Sequence, residues 1–116
     1  MKQLESKMQI GCVTWFRTCH PRYARLLFSV PNGGMRNAGT ARRLKAEGVV
    51  AGVSDLILLM PNSEYHALCL ELKTNKGRQT ANQKSWEKDV QKQGYKYIVV
   101  RSFDEFVSAI TEYLRT

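Results

Sequence analysis

Residues 48–73 read GVVAGVSDLILLMPNSEYHALCLELK, and this segment has the most distinctive pattern in the 116-residue chain. Residues 55–60, which are apolar after Asp55, predict a strand that is buried on both faces. Residues 61–64 are turn-forming, and residues 65–73 again have the composition of a strand. Two strands joined by so short a turn predict an antiparallel hairpin.

Alternation with a period of two divides the side chains of residues 65–73 between two faces. The predicted core face carries His66, Leu68, Leu70 and Leu72, and the other face carries Ala67, Cys69, Glu71 and Lys73. Glu71 and Lys73 therefore project together where this strand ends. Because the start of one antiparallel strand lies beside the end of the next, we expect Asp55 at the same edge of the sheet.

Two carboxylates and a lysine at one edge are the groups that metal-assisted phosphodiester hydrolysis requires. Paired carboxylates repel each other, and a hard divalent cation relieves the repulsion while taking oxygen ligands. Such a cation polarises a phosphoryl oxygen, and Lys73 beside it can orient a water molecule and offset charge on the phosphate. The alternative is a surface Asp55 and an ordinary Glu71–Lys73 pair at a strand end.

The rest of the chain predicts helices around this hairpin and one further strand on each side of it. Helices are expected over residues 2–18, 40–47 and 80–93 and after a capping box at Ser102 and Glu105, and strands over residues 25–30 and 95–100. The order is α-β-(α)-β-β-α-β-α. Because the late β-α-β crossover implies a parallel pair, we predict an α/β fold with a mixed sheet flanked by helices, in a single domain of residues 1–116.

The charge of the chain is strongly positive, with 18 Lys and Arg against 10 Asp and Glu, a net charge of +8. Most of the excess lies in residues 1–50. A basic half on a globular domain predicts a polyanionic partner, most often nucleic acid, and the alternative is a charge that serves solubility alone.

The cysteines and the apolar runs bear on the compartment. The first eleven residues lack the apolar core of a secretory signal, and the longest apolar run, residues 56–60, is too short to span a bilayer. Three cysteines without a CxxC pair predict buried thiols in a reducing compartment such as a cytoplasm. The pairs Cys19–His20 and His66–Cys69 match no structural zinc spacing.

Three motifs together resemble the PD-(D/E)XK nuclease signature: the segment GVVAGVSD ending at Asp55, the tripeptide Glu71-Leu-Lys73, and Gln83 in the following helix. More narrowly, the chain is similar to the small stand-alone VRR-NUC (virus-type replication-repair nuclease) domains of phage and bacteria. The turn at residues 31–34, the Gly-Tyr pair at 94–95 and the element order also fit. Ser54 stands where the family usually has proline, which we expect to loosen the turn before Asp55.

The resemblance implies a restriction-endonuclease-like core and a role for each matching residue. Asp55 and Glu71 would hold Mg²⁺ or Mn²⁺ with the backbone carbonyl of Leu72, and Lys73 would position the attacking water. Glu5 on the first helix would join the metal directly or through water, unless it is a solvated helix charge. Gln83 would orient Lys73 or the phosphate, although it also fits a capping box with Thr80.

The other basic residues would contact the DNA backbone, where they position without reading sequence. The candidates are Arg36, Arg42, Arg43 and Lys45 in one group and Lys76 and Arg78 in another. The glycines of the turn at residues 31–34 would let the backbone approach a phosphate, and a plain turn is the alternative. Trp15 and Trp86 are at core spacing, and base stacking is the alternative.

The resemblance therefore implies a metal-dependent, structure-selective DNA endonuclease that acts on four-way (Holliday) junctions as a homodimer. The interface is expected to use the first helix, with Trp15 and Phe16, and the strand after it, and the alternative is that both aromatic side chains belong to the core. The alternatives are a nuclease for flaps, relaxed duplex or single strands, and a nucleic-acid-binding module without catalysis.

Overall fold

The computed structural model describes residues 3–31 and 37–116. The predicted turn after Pro31 and the candidate DNA contact Arg36 lie outside the described residues. The described part forms a four-stranded sheet in the order β1-β2-β3-β4, with helices packed against it. The predicted element order is confirmed. The helices and strands, in chain order, are α1 Gln3–Cys19, β1 Leu27–Ser29, α2 Ala38–Ala46, β2 Leu56–Leu58, β3 Leu68–Leu72, α3 Ala81–Lys92, β4 Lys96–Val100 and α4 Phe103–Arg115.

The strands are shorter than the apolar runs that predict them. A 3₁₀ helix, Pro21–Leu26, occupies the beginning of the predicted first strand, since Pro21 fixes φ at the helix start. The hairpin strands stop early because Asn62 organises the turn: its Oδ1 accepts hydrogen bonds from the N–H groups of Glu64 and Tyr65, at 2.9 and 2.8 Å. Leu59, predicted to be buried, is 58% exposed.

The pairing of β3 with its two neighbours decides where the acidic side chains lie. β2 and β3 are antiparallel, with Leu56 opposite Leu70 and Leu58 opposite Leu68, which confirms the predicted hairpin. β3 and β4 are parallel and are connected through α3, as the late crossover predicts. All five residues of β3 are buried. His66 is exposed, because β3 begins only at Leu68, and so the prediction that it faces the core is wrong.

The main core lies between the leucines of β2 and β3 and the helices α1 and α4. It is formed by Cys12 and Phe16 from α1, Phe106, Ile110 and Tyr113 from α4, and the strand residues Leu27, Leu56, Leu58, Leu68, Leu70, Leu72 and Val100. Phe16 is fully buried, and Trp15 packs edge-on against Phe106 with 6.1 Å between ring centroids. The prediction that Phe16 contributes to a dimer interface is therefore wrong, because the side chain belongs to the core.

The cysteines differ in their exposure to solvent. Cys12 and Cys69 are buried free thiols as predicted, whereas Cys19 is exposed. None of the helices in the described residues combines the length and the apolar character that crossing a membrane requires.

Candidate active site

Asp55, Glu71 and Lys73 meet at the edge of the sheet where β2 begins and β3 ends. Continuing the β2–β3 register by one residue places Asp55 opposite Glu71. Asp55 Oδ2 accepts a 2.7 Å hydrogen bond from the backbone N–H of Leu72, so the loop before β2 is attached directly to the end of β3. The Lys73 ammonium nitrogen lies 3.8 Å from Glu71 Oε2. The predicted convergence of these three side chains is present in the structure.

Glu71 is held from both sides by neutral hydrogen-bond donors. The carboxylate is buried, with the residue only 1% exposed. Gln83 Nε2 donates to Oε2 at 2.8 Å, and the Tyr97 hydroxyl donates to Oε1 at 3.1 Å. Each carboxylate oxygen of Glu71 thus has a donor from a different element, α3 for Gln83 and β4 for Tyr97, which fixes the orientation of the group.

The pKa of Glu71 is raised to about 8. Burial is the largest cause, followed by the negative charge of Asp55 and a side-chain hydrogen bond with it, while Lys73 and Tyr97 act in the opposite direction. A buried carboxyl beside a second carboxylate favours either a proton or a cation between them. The acidic edge is therefore suited to binding positive charge.

Tyr97 is a site residue that the sequence reasoning missed. It is 7% exposed, and its pKa is raised by burial and by the neighbouring charge of Glu71. Gln79 Nε2 donates to the Tyr97 hydroxyl at 3.4 Å and to Glu87 Oε1 at 2.9 Å, which extends the polar network along α3. The available signal was a tyrosine in the middle of an apolar strand, because a buried phenol needs a polar partner.

Gln83 serves two purposes at once. Its backbone N–H donates to Thr80 Oγ1 and its Oε1 accepts from the Thr80 backbone N–H, which completes the capping box at the start of α3. Its remaining amide group, Nε2, reaches Glu71. Gln83 therefore contacts the acidic pair and also caps α3, so both alternatives are present. The partner of Gln83 in the site is Glu71 rather than Lys73.

Gly52 packs the loop before Asp55 against the first turn of α3. It has φ of +93°, and a Cβ built on it would lie 2.4 Å from the backbone oxygen of Asn82 and 2.9 Å from the backbone nitrogen of Gln83. Only glycine allows both this backbone conformation and this contact. The loop that carries Asp55 and the helix that carries Gln83 are therefore in direct backbone contact.

Ser54, for which the resemblance implies a proline, is fully buried. Its hydroxyl donates to the backbone oxygen of Leu56 at 3.1 Å. This hydrogen bond attaches the residue before Asp55 to β2, and the expectation of a loosened turn stays a prediction.

The residues present fit a hard divalent cation. Mg²⁺ in proteins is commonly held by one or two carboxylates, with water and substrate phosphates completing the shell. Asp55 and Glu71 supply two carboxylates at one edge, and the carbonyl of Leu72 follows directly in the chain. Among residues 3–31 and 37–116, no group of three or more His, Cys, Asp or Glu side chains is close enough to hold a metal.

Glu5 therefore does not complete a three-carboxylate group in this conformation. It is partly buried on α1, one turn before Gln9, whose side-chain oxygen is buried without a hydrogen-bond partner. The suggested role of Glu5 toward a metal stays a prediction.

The connections that carry the candidate DNA-contacting residues leave the sheet at the same edge as the acidic pair. Arg42, Arg43 and Lys45 are exposed on α2, which lies in the connection from the end of β1 to the start of β2. Lys76 and Arg78 are exposed in the loop after β3. Arg43 is also paired with Glu47 on α2 at 3.7 Å, an exposed pair of small energetic value. Trp86 contacts the Tyr97 ring edge-on, which agrees with a packing role.

Comparison with known proteins identifies the family. None of the curated proteins matches the chain. A solved structure of a VRR_NUC domain protein superposes with a TM-score of 0.85 at 24% sequence identity, covering 99% of this chain and 91% of that one, and this likeness shows the fold. The family model for the VRR-NUC domain matches residues 5–104, a span that includes the acidic pair and Lys73. The chain therefore belongs to the VRR-NUC family and has its nuclease-type fold.

Proposed function

We propose that this VRR-NUC domain is a metal-dependent, structure-selective DNA endonuclease that cuts four-way (Holliday) junctions as a homodimer. The observation that carries the proposal is the buried Glu71, opposite Asp55 at a sheet edge, with the Lys73 ammonium 3.8 Å away. A carboxyl whose pKa is raised by burial and by a second carboxylate is costly to keep for stability alone, and such groups cluster at functional sites. The family implies a nucleic acid substrate.

Asp55, Glu71 and the backbone carbonyl of Leu72 would hold Mg²⁺ or Mn²⁺, with Glu5 joining directly or through water. The cation would supply Lewis acidity toward a phosphoryl oxygen and would lower the pKa of water. Gln83 and Tyr97 keep Glu71 oriented toward that position through their two hydrogen bonds. Outer donors of this kind fix the geometry of ligands.

Lys73 acts on the water and on the phosphate. Its ammonium lies 3.8 Å from Glu71 Oε2, and only 12% of its side chain is exposed, so it presents a positioned cation rather than a freely moving one. A fixed cation next to the scissile phosphate offsets the charge that develops in the transition state. As the resemblance to the PD-(D/E)XK superfamily implies, in-line attack by water would release the 3′ oxygen and leave a 5′-phosphate.

The basic residues would guide the DNA to this edge. Arg42, Arg43 and Lys45 are exposed on α2, Lys76 and Arg78 are exposed in the loop after β3, and Arg36 is expected to join them. Their contacts with phosphates would give affinity without sequence preference. A reducing compartment such as the cytoplasm suits the buried free thiols of Cys12 and Cys69.

A homodimer matches the two-fold symmetry of a four-way junction and supplies two opposed cuts. With Phe16 in the core, the surfaces left for an interface are the outer faces of α1 and β1. Leu4 and Ile10 on α1 are 70% and 63% exposed, Phe28 on β1 is 37% exposed, and β1 is an edge strand. Sedimentation at micromolar concentration is expected to show a dimer, and a 13.3 kDa monomer that persists on junction DNA would contradict it.

The direct test of the function is a panel of four-way, flap, nicked, linear and single-stranded DNA with Mg²⁺, Mn²⁺ or EDTA. We expect cleavage that requires the cation and is fastest on the four-way junction. Asp55→Asn should abolish it, and Lys92→Ala, an exposed residue at the far end of α3, should not. Preference for flaps or for linear DNA would replace the junction assignment. Binding without cleavage under every condition would identify a nucleic-acid-binding module.

A further inference from the structure

Arg101 directs its guanidinium into the loop that follows Lys73. It is the first residue after β4, and its Nη1 donates to the backbone oxygens of Thr74 at 2.8 Å and Gly77 at 2.7 Å. These two carbonyls belong to one tight turn, in which the Gly77 N–H donates to the Thr74 oxygen at 3.0 Å. A single guanidinium nitrogen therefore closes the turn at residues 74–77.

That turn rests on the aliphatic stem of Lys73. A Cβ built on Gly77 would lie 3.3 Å from Lys73 Cδ and 3.4 Å from Lys73 Cβ, so the glycine backbone packs closely along the lysine chain. The base of the turn is attached to β4 as well, because the Lys73 N–H donates to the Val100 oxygen at 3.0 Å. The position of the turn thus limits the positions open to the lysine stem.

Arg101 is itself anchored at the start of α4. Ser102 and Glu105 have the sequence of a capping box, and the Ser102 side chain accepts from the Glu105 N–H at 3.1 Å. The Glu105 carboxylate, however, accepts from the N–H of Arg101 at 2.7 Å. The backbone of Arg101 is therefore held by α4 while its side chain holds the turn after β3.

We propose that Arg101 is a positioning residue for Lys73 rather than a DNA contact. By holding the turn at residues 74–77 against the lysine stem, it determines where the ammonium lies relative to Glu71. This inference rests on the proposed nuclease function and adds to it a residue that never touches the substrate. In a chain with net charge +8, composition alone would assign Arg101 to phosphate binding, and its two carbonyl acceptors argue against that assignment.

The first test separates positioning from phosphate binding in Arg101→Gln. We expect kcat at saturating DNA to fall about 10- to 100-fold, since small misplacements of a catalytic group have effects of this size. DNA affinity in Ca²⁺ and its dependence on salt should stay as in the wild type. A phosphate contact would instead lower the slope of log K against log salt by about 0.9, as expected for Arg78→Gln. Arg101→Lys, which keeps the charge and a donor, should retain intermediate turnover.

The second test changes the contact without changing the charge. Gly77 does not have a positive φ, so Gly77→Ala introduces only a methyl group against the Lys73 stem. It should lower kcat with DNA affinity unchanged. Gly11→Ala on α1, where a new Cβ meets no atom within 4 Å, is the matched control and should cleave like the wild type. Circular dichroism melting confirms that each variant is folded.

A third readout does not depend on cleavage. Acetylation of the Lys73 amine, followed by peptide mass spectrometry, should become several-fold faster in Arg101→Gln because the turn no longer covers the stem, while Lys92 reacts unchanged. Three results would each overturn the proposal. The first is equal acetylation of Lys73 in the wild type and in Arg101→Gln, and the second is a Gly77→Ala enzyme as active as Gly11→Ala. The third is an Arg101→Gln enzyme whose salt slope is reduced while its kcat is unchanged. A wild type that cuts no DNA would defeat the proposed function, and the acetylation result would still decide the role of Arg101.

Discussion

Asp55 and Glu71 face each other where β2 begins and β3 ends, and the pKa of Glu71 rises to about 8 from an ordinary value of 4.5 because of burial and the charge of Asp55. The native state therefore holds a proton, between these pH values, that the unfolded chain releases. Linkage then requires the free energy of unfolding to fall as pH rises from about 4.5 to about 8. We expect this decline in urea titrations carried out in EDTA.

Glu71→Gln supplies the control for this pH dependence. The variant has no carboxyl to titrate at this position, so its stability should vary less over the same range. Saturating Mn²⁺ should also flatten the wild-type profile, since the cation replaces the proton between the carboxylates. Parallel profiles for wild type and Glu71→Gln would show that Glu71 is ionised at neutral pH without a cation.

Tyr97 is expected to act through Glu71. Tyr97→Phe removes the hydroxyl that donates to Glu71 Oε1 and leaves the buried ring in place. Loss of an outer donor of this kind lowers metal affinity or activity about 10- to 100-fold. Calorimetric titration with Mn²⁺ and single-turnover cleavage measure the two effects. Tyr65→Phe, at the opposite end of the sheet, should change neither, and an unaffected Tyr97→Phe would limit the phenol to a packing role.

At the scale of elements, the contact between the Gly52 loop and α3 sets the distance between Asp55 and Gln83. Gly52→Ala would place a methyl group 2.4 Å from the Asn82 oxygen, so the helix and the loop must separate. Gly48→Ala is a matched control, because Gly48 also has a positive φ, +111°, but no atom lies within 4 Å of its Cβ.

Both substitutions should therefore incur the cost of the left-handed backbone, about 1 kcal/mol or more. Only Gly52→Ala should incur the steric cost as well, and only this variant should lose most of its cleavage, because Gln83 moves away from Glu71. Thermal denaturation and cleavage rates compare the two. Equal losses of stability and of activity would mean that the backbone conformation alone matters at both glycines.

The hairpin and its acidic edge could be predicted from sequence because they depend on local order. A short turn and a period-two pattern determine which residues of β2 and β3 face each other, and this places Asp55 opposite Glu71. Tyr97 and Gly52 depend on the parallel β3–β4 pairing and on the docking of α3, which bring together residues distant in the chain. The prediction for Phe16 is wrong because the pattern of an amphipathic helix does not show how many neighbouring elements pack against that helix.

For the whole molecule, the net charge of +8 predicts how DNA binding responds to salt. Each phosphate contact contributes about −0.9 to the slope of log K against log salt on duplex DNA. Replacing Arg42 and Lys45 together by Gln should therefore reduce the magnitude of the slope by about 1.8. Fluorescence anisotropy in Ca²⁺ measures this. A slope unchanged in the double variant would remove α2 from the DNA-binding surface.

We propose that the edge formed by Asp55, Glu71 and Lys73 hydrolyses phosphodiester bonds with a divalent cation. Lys73→Ala tests it most directly, since the substitution removes one of 18 basic side chains and leaves both carboxylates in place. Cleavage of a four-way junction in Mg²⁺ and binding of the same junction in Ca²⁺ are measured side by side. We predict that cleavage is lost while the dissociation constant stays within about twofold. Wild-type turnover by Lys73→Ala would contradict the account.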